Sequence, residues 1–309
     1  MLEVKSLRKE FGDLEAVKGI SFSLKPGDIF GFIGSNGAGK TTTIRMIATL
    51  LEPTSGTALL DGVDVCLEPM AIRRMLGYMP DFFGLYDDVK VFEYLDFFAS
   101  LYDIPARKRS LIINDVLAMT NLSGKRDSFV QALSRGMQQR LCLARCLVHD
   151  PTLLLLDEPA SGLDPRARAE LKDLIVELGK SGKIIIVSSH ILPELSDFCN
   201  TVGIIERGDL LAFGPVDEVV RNHRPIKILD VKLLERAPQA AKSIANADGV
   251  IDALAPNDRE LKIDFKGDLD GQAALLTKLI TDGFKVINFR EEEADLEDVF
   301  LKLTKGVVN

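Results

Sequence analysis

The run Gly34-Ser35-Asn36-Gly37-Ala38-Gly39-Lys40-Thr41 restricts this chain more than any other feature. It follows Ile29-Phe30-Gly31-Phe32-Ile33, an apolar stretch typical of a strand buried on both faces. From Thr41 the apolar spacing becomes helical, through Ile44, Ile47, Ala48 and Leu51, and Pro53 stops it. Glycines in such a loop reach left-handed torsions and leave room for close approach. Consecutive backbone N–H groups can then wrap an anion, while the helix N-terminus adds its partial positive charge. The pattern GxxxxGK[ST] between strand and helix is that of a triphosphate cradle. Lys40 is expected to reach the β- and γ-phosphates, and the Thr41 hydroxyl to meet Mg²⁺.

The chain has 309 residues, enough for about two domains, with 38 Lys+Arg against 46 Asp+Glu and a net charge of −8. That balance argues against unspecific adhesion to nucleic acid or an anionic membrane, so an anionic ligand must be met by local chemistry. The longest apolar runs, Leu153 to Leu156 and Ile184 to Val187, are far shorter than the ~20 residues of a membrane span. The first residues, MLEVKSLRKEFG, lack the apolar core of a secretion signal, which points to the cytosol. Cys66, Cys142, Cys146 and Cys199 contain no CxxC pair and are expected to be buried free thiols.

Short strands are expected at LEVKSL and AVKGISFSL around a Gly12–Asp13 turn. Later strand-like runs at Leu153–Leu156, Ile184–Val187 and Val202–Glu206 alternate with helical stretches, which implies a mostly parallel sheet covered by helices. Residues from about 82 to 150 have helical periodicity and form a helical subdomain. Beyond residue 224 a βαββαβ order with a final helix predicts a small split-βαβ domain over 225–309, with strands near 226–233, 249–254, 259–265 and 284–290 and helices near 237–247, 270–281 and 295–304. The fold class is therefore α/β for residues 1–220, followed by a small α+β domain.

A second chemical element is Leu153-Leu154-Leu155-Leu156-Asp157-Glu158-Pro159, two adjacent carboxylates where a buried strand emerges. Parallel strands end together at their carboxyl edge, so these acids and the glycine loop can face one crevice. Asp157 is expected to hold Mg²⁺, and Glu158 to polarise or deprotonate the water attacking the γ-phosphorus.

Between these elements lies Leu133-Ser134-Arg135-Gly136-Met137-Gln138-Gln139-Arg140, and after them come Ser161-Gly162-Leu163-Asp164 and Ser188-Ser189-His190. This ordered set resembles the ATP-binding cassette (ABC) ATPase domain, a P-loop NTPase, with Walker A, signature, Walker B, D-loop and switch histidine in sequence over residues 1–220. The resemblance implies two cassettes paired head to tail, as a homodimer or with a second ABC subunit, each ATP lying between the Walker A of one and the signature of the other. Ser134 and Gly136 would then contact the partner's γ-phosphate, His190 would contact the same phosphate, and Asp164 would cross the interface. Phe11 stands where an aromatic stacks on adenine. Val17, Gly34, Asn36, Gly37, Ala38, Gly39 and Thr42 complete the implied nucleotide-binding set around Lys40 and Thr41.

The chain departs from that pattern in three places. LSRGM replaces LSGGQ, with Ser134 and Gly136 retained, so the clamp is expected to survive. Tyr78-Met79-Pro80-Asp81 ends in Asp where the family places Gln. A carboxylate at Asp81 remains a metal ligand but is shorter, cannot donate to water, and repels the γ-phosphate by about 3 kcal/mol at ~5 Å and an effective dielectric of 20. Slower hydrolysis or a raised Mg²⁺ requirement is expected. Lys90 replaces a Thr helix cap, so that the following helix should start at Asp88 or fray.

A cassette without a span must act on something else. Nine of the twenty aromatic residues lie between Tyr78 and Tyr102, a density that suggests ring anchors for a partner helix, although about two thirds of these rings are expected to fill the segment's own interior. SSHILPELSDFC, RGDLLAFGPVDEV and Ala294-Asp295-Leu296-Glu297-Asp298-Val299-Phe300-Leu301 are similar to single-cassette ATPases of ABC-2-type exporters, which implies a separate integral-membrane permease, a location on the cytoplasmic face of the membrane and no nucleic-acid partner. Two alternatives stay open: a soluble non-transport ABC ATPase, disfavoured because only 94 residues separate Lys40 from Ser134, and a slowly hydrolysing nucleotide-dependent regulator, suggested by Asp81.

Overall fold

The chain's structure, a computed structural model, describes every residue except 83, 85, 87, 190–194, 224–226, 293–295 and 306–309. It divides into two compact units, Met1–Val216 and Asp217–Asn309.

In the larger unit β1 (Leu2–Phe11) and β2 (Leu14–Leu24) pair antiparallel across the tight turn at Gly12, whose φ is 57°. β3 (Ile29–Ile33) is buried at every position and leads into α1 (Lys40–Ile47). Next come β4 (Ser55–Leu60), β5 (Val63–Asp64), α2 (Pro69–Met75) and β6 (Leu76–Met79). The helical segment holds α3 (Val91–Leu101), α4 (Ala106–Met119) and α5 (Arg135–Leu147). β7 (Leu153–Asp157), α6 (Pro165–Lys180), β8 (Ile184–Ser189), β9 (Thr201–Glu206) and β10 (Asp209–Pro215) follow, and α7 (Val216–His223) begins at the boundary and belongs, from Asp217 on, to the smaller unit.

The strands form two sheets. One runs β10-β9-β3-β8-β7-β6, parallel except for β10; the other, β2-β1-β4-β5, is antiparallel. Phe22 of β2 stacks on Phe30 of β3 with ring centroids 5.1 Å apart, and this pair joins the two sheets in a single core. α5 lies close on β6 because Gly77 has no side chain: a Cβ there would meet the Cys146 carbonyl oxygen at 2.7 Å.

The smaller unit is βαββαβ, as its sequence pattern predicts. β11 (Lys227–Leu233), α8 (Ala237–Ile244), β12 (Val250–Leu254), β13 (Glu260–Phe265), α9 (Leu269–Thr281), β14 (Val286–Glu292) and α10 (Leu296–Lys305) succeed one another. The antiparallel sheet order is β12-β13-β11-β14. Alternate residues Leu229, Val231, Leu233, Leu261, Ile263 and Phe265 form one buried face against Ile244 and Leu279.

Several local expectations are corrected. α1 stops at Ile47, not Leu51, because Thr49 turns left-handed at φ 60° and the Leu50 N–H closes back on the Arg45 carbonyl at 2.9 Å. α3 starts at Val91 rather than Asp88. The Lys90 N–H donates to Glu93 Oε2 at 2.8 Å, which supplies a cap from within the helix, while Asp88 is left-handed at φ 60°. α8 ends at Ile244, where a turn from Ala247 N–H closes. Cys66 is exposed, unlike the other three thiols. Of the rings in this segment Tyr94 is buried, Tyr78, Phe92, Phe98 and Tyr102 are half-buried, Phe82, Tyr86 and Phe97 are exposed, and Phe83 lies outside the described residues.

Tyr94 anchors the helical segment beside Phe98 (centroids 5.0 Å) and exposes only 2% of its surface. Burial pushes its phenol up from 10.0 to about 12. The folded state therefore holds this proton more tightly than the unfolded chain does. The associated stability is fully present below pH 10 and is lost as pH rises through 12, by about 2–3 kcal/mol. Tyr94→Phe should change stability little at pH 7, and urea unfolding between pH 10 and 12 should show a correspondingly smaller decline than in the parent.

Candidate active site

The glycine loop closes tightly over the end of β3. Gly37 and Gly39 take φ of 84° and 115°, which side chains rarely adopt, and a Cβ at Gly39 would lie 2.7 Å from the Ala16 carbonyl oxygen. At Gly34 a Cβ would meet the Ile205 carbonyl oxygen at 2.3 Å. Asn36 and Gly37 form the exposed crest, Ala38 is buried beneath it, and Thr42 is half-buried on the first turn of α1. Lys40 is buried, its ammonium donating to the Gly34 and Ser35 carbonyls at 2.6 and 3.1 Å. Burial holds this ammonium below the usual lysine value of 10.5, although Glu158, Asp157 and Glu206 pull it back up. Glu206 also accepts from the Ser35 hydroxyl at 2.7 Å, which ties the loop to β9. Val17 is buried in the core under Gly39 and supports the loop from behind.

The carboxylates meet the loop through strand register. Phe32 and Asp157 both pair with Ser188, from opposite sides of β8, so the ends of β3, β8 and β7 are level. Asp157 exposes 2% of its surface. Its Oδ1 accepts from the Thr41 hydroxyl at 3.2 Å and from the Ser188 hydroxyl at 2.6 Å. The Glu158 N–H in turn donates to Ser188 Oγ at 3.0 Å. Glu158 sits at φ 50°, a left-handed conformation costing on the order of 1–3 kcal/mol in a non-glycine residue, and the bond to Ser188 helps hold it there. A hydroxyl beside a buried carboxylate is a hard-oxygen donor set suited to Mg²⁺, an ion that takes few protein ligands and keeps water and phosphate for the rest. Among the described residues there is no group of three or more His, Cys, Asp or Glu side chains to hold a metal by themselves.

Ser134, Gly136 and Asp164 line a separate concavity of about 630 Å³. Ser134 caps α5, its hydroxyl accepting from the Met137 N–H at 3.4 Å. Asp164 caps α6 by accepting from the Arg166 and Ala167 N–H groups at 3.0 Å, and these bonds hold its carboxyl below the usual range. Phe11 is exposed at the end of β1 with the Lys9 ammonium 5.2 Å from its ring centre. Asp81 is exposed beyond β6, and among the described residues it has no hydrogen bond to Thr41 or Asp157. His190 lies outside the described residues.

Two members of the site escaped the sequence reading. Ser188 has no signature of its own; only its place at a strand end, just before Ser189, hinted at it. Gln139, buried on α5, donates to the Pro159 carbonyl and so ties the helix capped by Ser134 to the turn after Glu158. Its place three residues after Gly136 carried no chemical signal.

A strand–glycine loop–helix unit with a carboxylate held level beside it, on a mostly parallel sheet, defines a nucleotide-binding ATPase of the P-loop type. A family model described as "ABC transporter" matches residues 17–161. The chain is 30% identical to the linearmycin resistance ATP-binding protein LnrL of Bacillus subtilis, over 98% of both chains. It is 34% identical to the bacitracin transport ATP-binding protein BcrA of Bacillus licheniformis, over 99% of this chain and 98% of that one. A solved ATP-binding subunit of an ABC transporter is 30% identical and aligns with a TM-score of 0.66, covering 72% of this chain and 92% of the other. This chain belongs to the ATP-binding proteins of the ABC transporter family, and it is an ATPase. None of its described helices is long and apolar enough to cross a membrane.

Replacing Ser188 by Ala removes a donor to a buried carboxylate and the acceptor of the Glu158 N–H. At about 1–3 kcal/mol, steady-state ATP turnover of the purified chain should fall by roughly 5- to 150-fold without a change of fold by circular dichroism.

Proposed function

We propose that this chain is the ATP-hydrolysing subunit of an exporter, working at the cytoplasmic face of a membrane with a separate permease. Two copies, or one copy with a second ABC subunit, would close head to tail on ATP and open after hydrolysis. The observation that carries this reading is the Asp157 carboxylate beside the Lys40 loop, which accepts from the Thr41 and Ser188 hydroxyls while Ser188 in turn accepts from the Glu158 N–H. The names of the linearmycin resistance, bacitracin transport and Nod factor export relatives support the exporter reading.

In this reading the loop amides and Lys40 bind the β- and γ-phosphates, and Phe11 packs on the adenine. Thr41 and Asp157 would hold Mg²⁺, which supplies neutralising charge to the phosphate oxygens. Glu158 accepts a proton from the attacking water, and its constrained backbone fixes where the carboxylate starts from. Ser134 and Gly136, at the capped N-terminus of α5, face the other subunit's γ-phosphate; Asp164 and His190 complete the interface. The groove of about 230 Å³ lined by Tyr78, Phe98, Tyr102 and Arg145 would take a short permease helix.

Glu158→Gln should lower turnover about 10²-fold or more and leave an ATP-bound dimer visible by light scattering. Parent-like turnover would remove the base assignment. Asp81→Gln should lower the Mg²⁺ concentration needed for half-maximal hydrolysis, since it takes one negative charge away from the γ-phosphate; an unchanged titration would show that Asp81 stays clear of the metal. Affinity capture from solubilised membranes should bring down a polytopic protein, and recovery of ribosomes or DNA instead would overturn the exporter reading.

A further inference from the structure

Arg135 is the first residue of α5, directly after the Ser134 cap. Its side chain runs across to Gly162, where a Cβ would stand 2.8 Å from the guanidinium carbon and from one terminal nitrogen, and 3.2 Å from Nε. The planar group therefore lies against backbone that any larger residue would cover, and φ of +70° at Gly162 matches that need for glycine. Two neighbouring guanidinium groups are already engaged: Arg140 and Arg166 both pair with Glu170. The Asp164 carboxylate is turned to the amides of its own helix. Arg135, by contrast, is exposed and has neither a hydrogen bond nor an ion pair among the described residues. All of these groups line the concavity that holds Ser134 and Gly136. With Arg140 and Arg166 set against Glu170 and Asp164, Arg135 gives the concavity a net positive charge.

We infer that Arg135 is a nucleotide-contacting residue acting across the dimer, its guanidinium meeting the terminal phosphate of the ATP bound to the other subunit while Gly162 supports it from behind. This rests on the head-to-tail reading above. A guanidinium presents planar paired donors that match phosphate oxygens, which an ammonium does not reproduce. The stack on Gly162 holds that plane before ATP arrives, so less side-chain freedom is lost on contact.

The test uses the full chain carrying Glu158→Gln, with ATP-driven dimerisation followed by light scattering at several salt concentrations. Addition of Arg135→Ala should raise the ATP concentration for half-dimerisation at least 10-fold, and Arg135→Lys should raise it less. Dimerisation of the Arg135→Ala protein should also weaken less with salt than that of its parent, because one screened charge contact is gone. ATP binding by the single subunit and the unfolding temperature should stay at parent values. Dimerisation of Arg135→Ala at the parent's ATP concentration would overturn the inference and leave the head-to-tail reading intact. Equal defects in the Ala and Lys variants with an unchanged salt dependence would make Arg135 a mere prop and overturn it as well. If Glu158→Gln alone never dimerises with ATP, the underlying reading fails, and the inference with it.

Discussion

The Asp157 carboxylate is the most demanding group in the molecule. A charged carboxylate with 2% of its surface exposed loses most of its hydration, and several kcal/mol must be recovered from fixed partners. Those partners are two hydroxyls on one oxygen, Thr41 from α1 and Ser188 from β8. Neither is adjacent in sequence. Both bonds exist only if β3, β8 and β7 end level with one another, and a one-residue slip would turn Ser188 to the opposite face of the sheet. What prevents the slip is the apolar interior: every residue of Leu153–Leu156 and Ile184–Val187 is buried, so the strands cannot move without exposing them. The hydrophobic core thus fixes the site by fixing register.

Much of this was legible because its signals are local and unusual. The glycine loop, the strand before it and the acidic end of β7 each carry a composition that few other structures need. Uninterrupted apolar runs identified β3, β7 and β8, and the βαββαβ order of the pattern beyond residue 224 identified the smaller unit. The division of the strands into two sheets was not legible, since β1 and β2 alternate in a way that fits an edge of either sheet. Nor was the end of α1, where the helical spacing continues to Leu51 but a left-handed Thr49 breaks the chain first. Ser188 could not be singled out, because a serine at a strand end acquires meaning only from what lies across the sheet. Val17 is far from the loop in sequence and reaches it only through the core, beneath Gly39.

The rings of the helical segment illustrate how composition underdetermines burial. Tyr94 and Phe98, four residues apart on α3, pack together with Arg145 of α5, whose guanidinium lies 5.3 Å from the Phe98 ring centre. Phe97 is one residue away on the helix and points outward, but it still contacts Phe98 edge-on at 5.3 Å. An exposed ring held by its neighbours has less rotational freedom to lose on meeting a partner than a solitary one. That is the physical reason an aromatic cluster half out of the core suits a docking surface better than either a buried or an isolated set.

Charge sets a further condition on the site. The chain is acidic overall, with a net charge of −8, yet it must hold a polyanion. At physiological ionic strength charges more than about 8 Å away are largely screened, so the overall excess of acid matters little, and the immediate shell decides. That shell is itself mostly acidic in side chains, because Asp157, Glu158 and Glu206 all act on the single ammonium of Lys40. From the protein itself, the remaining positive potential must therefore come from backbone amides of the loop and from the N-terminal end of α1. This arrangement has a chemical advantage. Amides and a helix terminus cannot be neutralised by the nearby carboxylates through proton transfer, which leaves the acids free for the roles proposed for them. A side-chain cation away from this shell, as Arg135 is, lies where the neighbouring carboxylates are already engaged, Glu170 by Arg140 and Arg166 and Asp164 by the amides of its own helix.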